Sequence, residues 1–425
     1  MKEEFLHYLW KFQKFNTPAL FSERGETITV IHPGEHNTNA GPDFFNAKLK
    51  IGNQLWAGNV EIHLNASDWY AHNHEKDSQY DSVILHVVWK HDGDIFRRNK
   101  TALTTLVIKP FVNQDVLKAY KKLSEKQHKW IPCEHEFANV DSFVLNNWLE
   151  RLFIERLEKK SKFILELLEK YSNNWEAVLF ILLTKNFGLQ VNSEAFLSVA
   201  NSIDFSIFKK VIKNQKQTES LFFGQAGLLE EDKEEHYYIE LQKEYAYLKH
   251  AYSLNNKLVT SVKYFRLRPT NFPTIRLSQL ASLYVKERTL FSKLIEAENV
   301  AKIYDIFNVS ASSYWDNHYS FGVVSAKRKK KLSKKFIDLL IINTLVPMVF
   351  CYRRYLGNEQ VADLFDLLSE ISSEENSIIK KFDSIKKVST HALYSQGLLQ
   401  LKTMYCDKKR CLDCVIGASI LGKNK

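Results

Sequence analysis

The sequence predicts an α+β chain: a mixed α/β N-terminal domain over residues 1–135, followed by a large all-α domain over residues 136–425. Three observations predict it. Between about Thr27 and Val112, apolar and polar residues alternate in short runs broken by Gly, Asn and Asp, which is the mark of strands. From about Asp141 onward, apolar residues recur at i, i+3, i+4 and i+7, the period of a helix face. The 425 residues are 45% hydrophobic and 25% charged, enough for more than one core, and Gly (14) and Pro (8) are too scarce for long linkers.

The elements follow in chain order. "MKEEFLHYLWKF" is an amphipathic, acidic-headed helix without the basic head or small-residue cleavage site of a signal peptide. "TITVIH", "FNAKLKI", "QLWAGNVEIHL", "DSVILHVVW" and "TTLVIKPFV" read as strands, with Gly52-Asn53 turning the second into the third. "KWIPCEHEFANV" (129–140) is the junction. Asp141 or Ser142 caps the long helix that follows. "FIDLLIINTLVPMVF" (336–350) is apolar but carries Asp338, Asn343 and Pro347. It falls short of the ~20 residues that span a bilayer and reads as a core helix. A cytoplasmic chain without a membrane role is the expectation.

Net charge is +10, with the run "KRKKKLSKK" at 327–335. That balance favours a polyanionic partner, nucleic acid first and DNA ahead of RNA, over an acidic protein. A solvated helix start explains the run equally well. Oligomeric state is not legible.

The chemistry-bearing stretch is "GPDFFNAKLKIGNQLWAGNVEIH", 41–63. A strict two-residue turn at Gly52-Asn53 sends Asp43 and Glu61 to opposite faces, and a three-residue loop, or one bulge, for which Gly58 is the natural site, restores a common face. Glu61 and His63 share a face regardless. An acid at the start of one strand and E-x-(basic) on its antiparallel neighbour resembles the PD-(D/E)-x-K nuclease superfamily, with His63 where that motif has lysine. The resemblance implies a restriction-endonuclease-like core. Asp43 and Glu61 would hold Mg²⁺ or Mn²⁺, His63 would serve as base or lysine surrogate, and Glu35 would be an accessory acid.

Further on, "SDWYAHNHEKDSQYDSVILHVVW" gathers His72, His74, Asp77 and His86. His72 and His74 would point the same way on an extended segment, with Asp77 beyond them, a spacing fit for a transition metal. His86, inside an apolar strand, reads first as a core histidine.

"CDKKRCLDC" supplies Cys406, Cys411 and Cys414, and Cys133 at the junction is the best fourth ligand for Zn²⁺ or an iron–sulfur cluster. Lys408, Lys409 and Arg410 between them suit a phosphate backbone. Cys351 reads as packing. In the helical domain, "RPTNFPTIRL" offers Arg268 and Arg276 on a proline-stiffened, phosphate-facing loop; a structural elbow is the alternative. "GPDFFNA", "GNVEIH", "SDWYAHNH", "LFFGQAGLL", "FRLRPTNFPTIRLSQLA", "YWDNHYSFG" and the C-terminal cysteines together resemble a bacterial domain-of-unknown-function family, number 2851, along nearly the whole chain. That resemblance implies no activity of its own. Three functions stay open: a divalent-metal-dependent nuclease, a catalytically inactive nucleic-acid-binding protein of the same fold, and a His/Asp metalloenzyme acting on a small substrate.

Overall fold

The computed structural model describes residues 1–16, 20–124, 129–358 and 360–422. The chain forms two compact units, Met1–Trp148 with Leu401–Lys425, and Leu149–Gln400. The division therefore falls at Trp148 and again at Leu401, and the cysteine-bearing tail belongs to the first unit. A mixed α/β N-terminal region is followed by a largely helical one.

In the first unit, α1 (Glu3–Lys11) precedes β1 (Leu20–Phe21), β2 (Thr27–His32), β3 (Glu35–His36), β4 (Phe44–Ile51) and β5 (Gln54–Asn65). Next come the short α2 (Asp68–Ala71), β6 (Val83–Lys90), β7 (Thr105–Val107) and α3 (Gln114–Ser124). The sheet order is β1-β2-β4-β5-β6-β7, with β3 paired to β4. β2, β4 and β5 run antiparallel, whereas β6 and β7 run parallel to β5. The first half of β5 is exposed, but Val60, Glu61, Ile62 and His63 are all buried, so this stretch is covered on both faces. β6 is buried through Val83–Val88 for the same reason and reads as the continuous apolar run of a covered parallel strand.

The turn is the strict two-residue form, pairing Ile51 with Gln54. The bulge that re-aims the hairpin lies in β4, not at Gly58: Ala47 pairs with Gly58 but Phe44 pairs with Val60, leaving one extra residue in β4. Asn46 sits there at φ 58°, a left-handed conformation that asparagine tolerates, and its N–H donates to Asn59 Oδ1 at 3.2 Å. Gly58 has another purpose. A Cβ there would stand 2.4 Å from Ile84 Cγ2 and 2.6 Å from the Ser82 carbonyl oxygen, so only glycine lets β6 approach.

The second unit is a helical core. Its helix Trp175–Phe187 is buried along every residue from Ala177 to Thr184, as a helix apolar all round must be. Lys334–Tyr355 forms one continuous helical run, longer than the apolar stretch suggests. It is long and apolar enough to cross a membrane by length and composition, and 78% of that window is buried inside the protein. Its middle turn, Ile341–Leu345, is π-helical. Lys160 Nζ reaches that turn, donating to Asn343 Oδ1 at 2.9 Å and to the Ile342 carbonyl at 3.4 Å.

Candidate metal centre

The bulge at Asn46 decides the site. With Phe44 opposite Val60, Asp43 stands opposite Glu61, and their side chains emerge on one face. Each acid holds the other's strand: the Asp43 N–H donates to Glu61 Oε2 at 3.1 Å, and the Ile62 N–H donates to Asp43 Oδ2 at 2.9 Å.

Around Glu61 the histidines converge. His63, two residues along β5, brings Nε2 within 3.5 Å of Glu61 Oε1 and 3.0 Å of His72 Nδ1. His74 Nε2 lies 3.2 Å from Glu61 Oε1 yet is buried without a hydrogen-bond partner, because the contact is not aligned for one. The ligand nitrogens of His63, His72 and His74 all lie within 4.8 Å of one another. His72 and His74 do not get there on an extended segment. His72 caps α2, Asn73 turns the chain at φ 61°, and His74 opens a 3₁₀ turn, so the chain folds back to aim both rings at His63. Asp77 stays outside, exposed, its carboxylate accepting from the Gln79 N–H at 2.9 Å to cap the next turn.

Behind these residues stands His86, fully buried. Its Nε2 is 2.8 Å from His63 Nδ1, so it is a partner of the cluster and not a packed core ring. Trp69 and Tyr80 wall the cluster, Tyr80 stacked on His74 with ring centroids 3.7 Å apart. The sequence reading missed His7 of α1, whose Nε2 lies 3.2 Å from Asp43 Oδ2. The signal was present, since His7 follows Glu3 by one helical turn on the polar side of an otherwise buried helix.

The electrostatics follow from burial. Glu61, 4% exposed, has its carboxyl pushed up to about 9, first by burial and then by the neighbouring Asp43. His63 is driven down to about 3 by burial and then by the surrounding imidazoles. Burial also lowers His74, and lowers His86 much further. His7 moves the other way: burial pulls it down, but Asp43 beside it outweighs that and raises it. Burial thus favours the neutral forms of His63, His74 and His86 and the protonated form of Glu61.

The other sequence candidates are dispersed. Glu35 is exposed on β3, paired through its backbone with Phe45. Arg268 is exposed in the second unit. Arg276 is only 5% exposed and does not face outward toward a phosphate backbone; its guanidinium donates to Gln279 Oε1 and Asn271 Oδ1 and lies over the Phe336 ring at 3.5 Å. Lys408, Lys409 and Arg410 are exposed on the tail, Arg410 paired with Asp413 at 3.0 Å. Cys133, Cys406, Cys411 and Cys414 line one small cavity in the first unit.

A profile of the family described as Protein of unknown function (DUF2851) matches residues 3–377. No curated protein and no solved structure matches the chain.

Proposed function

Taking as premise that the chain belongs to the family Protein of unknown function (DUF2851), we propose from the site itself that it is a transition-metal-dependent hydrolase of phosphodiester bonds. The observation that carries this is the gathering of His63, His72 and His74, whose ligand nitrogens lie within 4.8 Å of one another, around Glu61 Oε1, which is 3.5 Å from His63 Nε2 and 3.2 Å from His74 Nε2. Ligands about 2.1 Å from a tetrahedral ion stand roughly 3.4 Å apart. A buried imidazole nitrogen without a hydrogen-bond partner and a carboxyl raised far above its ordinary value are both relieved by one divalent cation.

The donor set selects the metal class. Three imidazoles and one carboxylate favour a borderline ion such as Zn²⁺, or Mn²⁺, over Mg²⁺, which prefers an all-oxygen shell. With three of these side chains as ligands and one position left to water, such an ion would polarise a phosphoryl oxygen and make that water acidic near neutral pH. The protein supplies the rest. His86 holds His63 through Nδ1, and in the tautomer with the proton on Nδ1 the Nε2 lone pair of His63 faces Glu61 and His72. Asp43, already accepting from Ile62, is the carboxylate beside the centre, and its oxygen with His7 Nε2 forms the pair that can take up and hold a proton. The phosphodiester assignment is supported by the acid on one strand opposite E-x-H on its antiparallel neighbour, and by the net charge of +10.

The test is metal analysis of the purified chain, followed by assays with Zn²⁺ or Mn²⁺ on single- and double-stranded DNA, RNA and an activated phosphodiester. Glu61→Gln and His74→Ala should lose the metal and the cleavage together. A chain that binds the ion at these residues but cleaves none of the substrates would overturn the hydrolase assignment. A chain in which His72→Ala and His74→Ala leave metal content unchanged would overturn the centre.

A further inference from the structure

We propose that Cys133, Cys406, Cys411 and Cys414 are the four thiolate ligands of a second metal centre, a zinc ion or an iron–sulfur cluster, independent of the histidine site. Three of these residues lie within one short tail segment, while the fourth is separated from them by the whole second unit in sequence. All four nonetheless line the same small cavity. None is in a disulfide. Chance packing of cysteines would scatter them as Cys351 is scattered, buried in a helix of the second unit with Ser161 beside its sulfur.

The surroundings are those of a soft-metal site. Leu401, Tyr405 and Ile416 wall the cavity, and among the described residues neither a carboxylate nor an imidazole lines it. Sulfur is therefore the donor the cavity offers, which selects zinc or iron–sulfur chemistry over calcium or magnesium.

The backbone is shaped to present the sulfurs. The Cys414 N–H donates to the Cys411 carbonyl at 3.3 Å, closing the C-x-x-C turn, and the helix Val415–Gly422 begins directly after it. The backbone at Ile416 and Gly417 and the Trp148 side chain lie beside the Cys414 sulfur. Backbone and indole groups packed around a sulfur are the kind of outer shell that orients a metal-bound cysteine. Gly417 completes the turn: a Cβ there would stand 2.0 Å from the Cys411 carbonyl oxygen, so any other residue would push the turn open. On the other side, Cys133 sits immediately before the helical turn Glu134–Phe137, its carbonyl accepting from the Phe137 N–H at 2.8 Å, which fixes the segment that carries it. The consequence is architectural: the metal ties the C-terminal tail to residue 133 and makes it part of the first unit.

The experiment uses the full chain purified without oxygen. Elemental analysis and X-ray absorption at the metal edge report identity and ligands, and the His72→Ala/His74→Ala double variant serves as background so that only the cysteine site contributes. Zinc with a shell of four sulfurs at about 2.3 Å supports the zinc arm. Iron with acid-labile sulfide and a visible absorption band bleached by dithionite supports the cluster arm. Cys133→Ser and Cys411→Ser should each lose that equivalent, whereas Cys351→Ser keeps it. If a serine variant fails to fold, the absorption spectrum of the unmutated thiols still decides the matter. A chain with no sulfur-ligated metal, whether its four cysteines alkylate freely in the native state or are found as disulfides, would overturn the proposal.

Discussion

Glu61→Gln separates a metal centre from an ordinary buried hydrogen-bond network, because the two readings give stability changes of different sign. In the metal-free protein the Glu61 carboxyl is held up at about 9, by burial and then by Asp43, while in the unfolded chain it returns to about 4.5. The folded state thus binds one more proton than the unfolded state between these values. Stability is therefore full below about pH 4.5 and falls as pH rises, until the folded acid ionises near 9. At pH 7 the loss is on the order of 2–3 kcal/mol, taking about 1.4 kcal/mol per unit and allowing for the coupling to Asp43. Glutamine copies the protonated acid and can still accept from the Asp43 N–H. Metal-stripped Glu61→Gln should therefore be more stable than metal-stripped wild type at pH 7 by that amount, a Tm rise of about 2–4 °C per kcal/mol for a unit of this size. Added Zn²⁺ should reverse the order. Wild type gains about 4.1 kcal/mol at a thousandfold excess over Kd, more than the variant's lead, and the variant, lacking the charged ligand, gains much less. The assay is a pair of thermal melts, with and without chelator, at pH 6 and pH 8. Melts in which the variant is the less stable protein with chelator present, or in which zinc shifts both proteins equally, would refute the reasoning.

Three further outcomes are expected. Gly58→Ala should cost about 1–3 kcal/mol by forcing β6 off β5 and should weaken metal binding by displacing His86, measured by urea melts and metal titration; an unchanged midpoint would contradict the contact. His86→Ala should leave the sheet folded but weaken metal affinity about 10–100-fold, since it removes only the group that orients His63; unaltered affinity in a competition titration would remove that role. Lys160, driven down to about 7 by burial and then by Arg156, binds fewer protons folded than unfolded, so it adds to a rise of stability with pH from about 7 to about 10. Lys160→Met should delete that slope in urea melts taken across the window, and identical slopes would show that the folded lysine stays charged.

The strands of the first unit and the helical second unit were legible because their signals are local: alternation for β2, β4 and β5, period 3.6 after Asp141. The continuous burial of β5 beyond Val60 was not, since it comes from chain packed over both faces and not from the strand's own pattern. The histidine cluster was legible as a density of residues but not as a geometry. His72 and His74 converge through a left-handed Asn73, a single dihedral that no spacing rule supplies. His7 was missed because its helical period shows only that it lies on the polar side of its helix, whereas its contact with Asp43, more than thirty residues downstream, is tertiary. Arg276 misled for the opposite reason. An arginine just after a proline-stiffened segment looks solvent-facing, and only the packing over Phe336 shows that it is a core residue.

What joins the two levels is Asn46. The turn at Gly52-Asn53, left to itself, pairs residues whose numbers sum to 105, which would put Ile62 opposite Asp43 and turn Glu61 and His63 away from it. One extra residue in β4 changes the sum to 104 and the face of every residue beyond it. A left-handed residue and an interrupted ladder are local costs, and here they are offset: the Asn46 N–H finds Asn59 Oδ1, and Asn59 Nδ2 donates to Ser82 Oγ at 2.8 Å, tying the bulge toward the neighbouring β6. The irregularity also decides which phenylalanine enters the core, since Phe44 is buried beyond the bulge where strict alternation from Ile51, Leu49 and Ala47 would have buried Phe45. Beyond it Asp43, Glu61 and His63 share one face, beside the His72 and His74 rings, which is the arrangement the proposed metal centre needs. A bulge whose effect is to aim three polar side chains at one point is a feature of the site before it is a feature of the sheet.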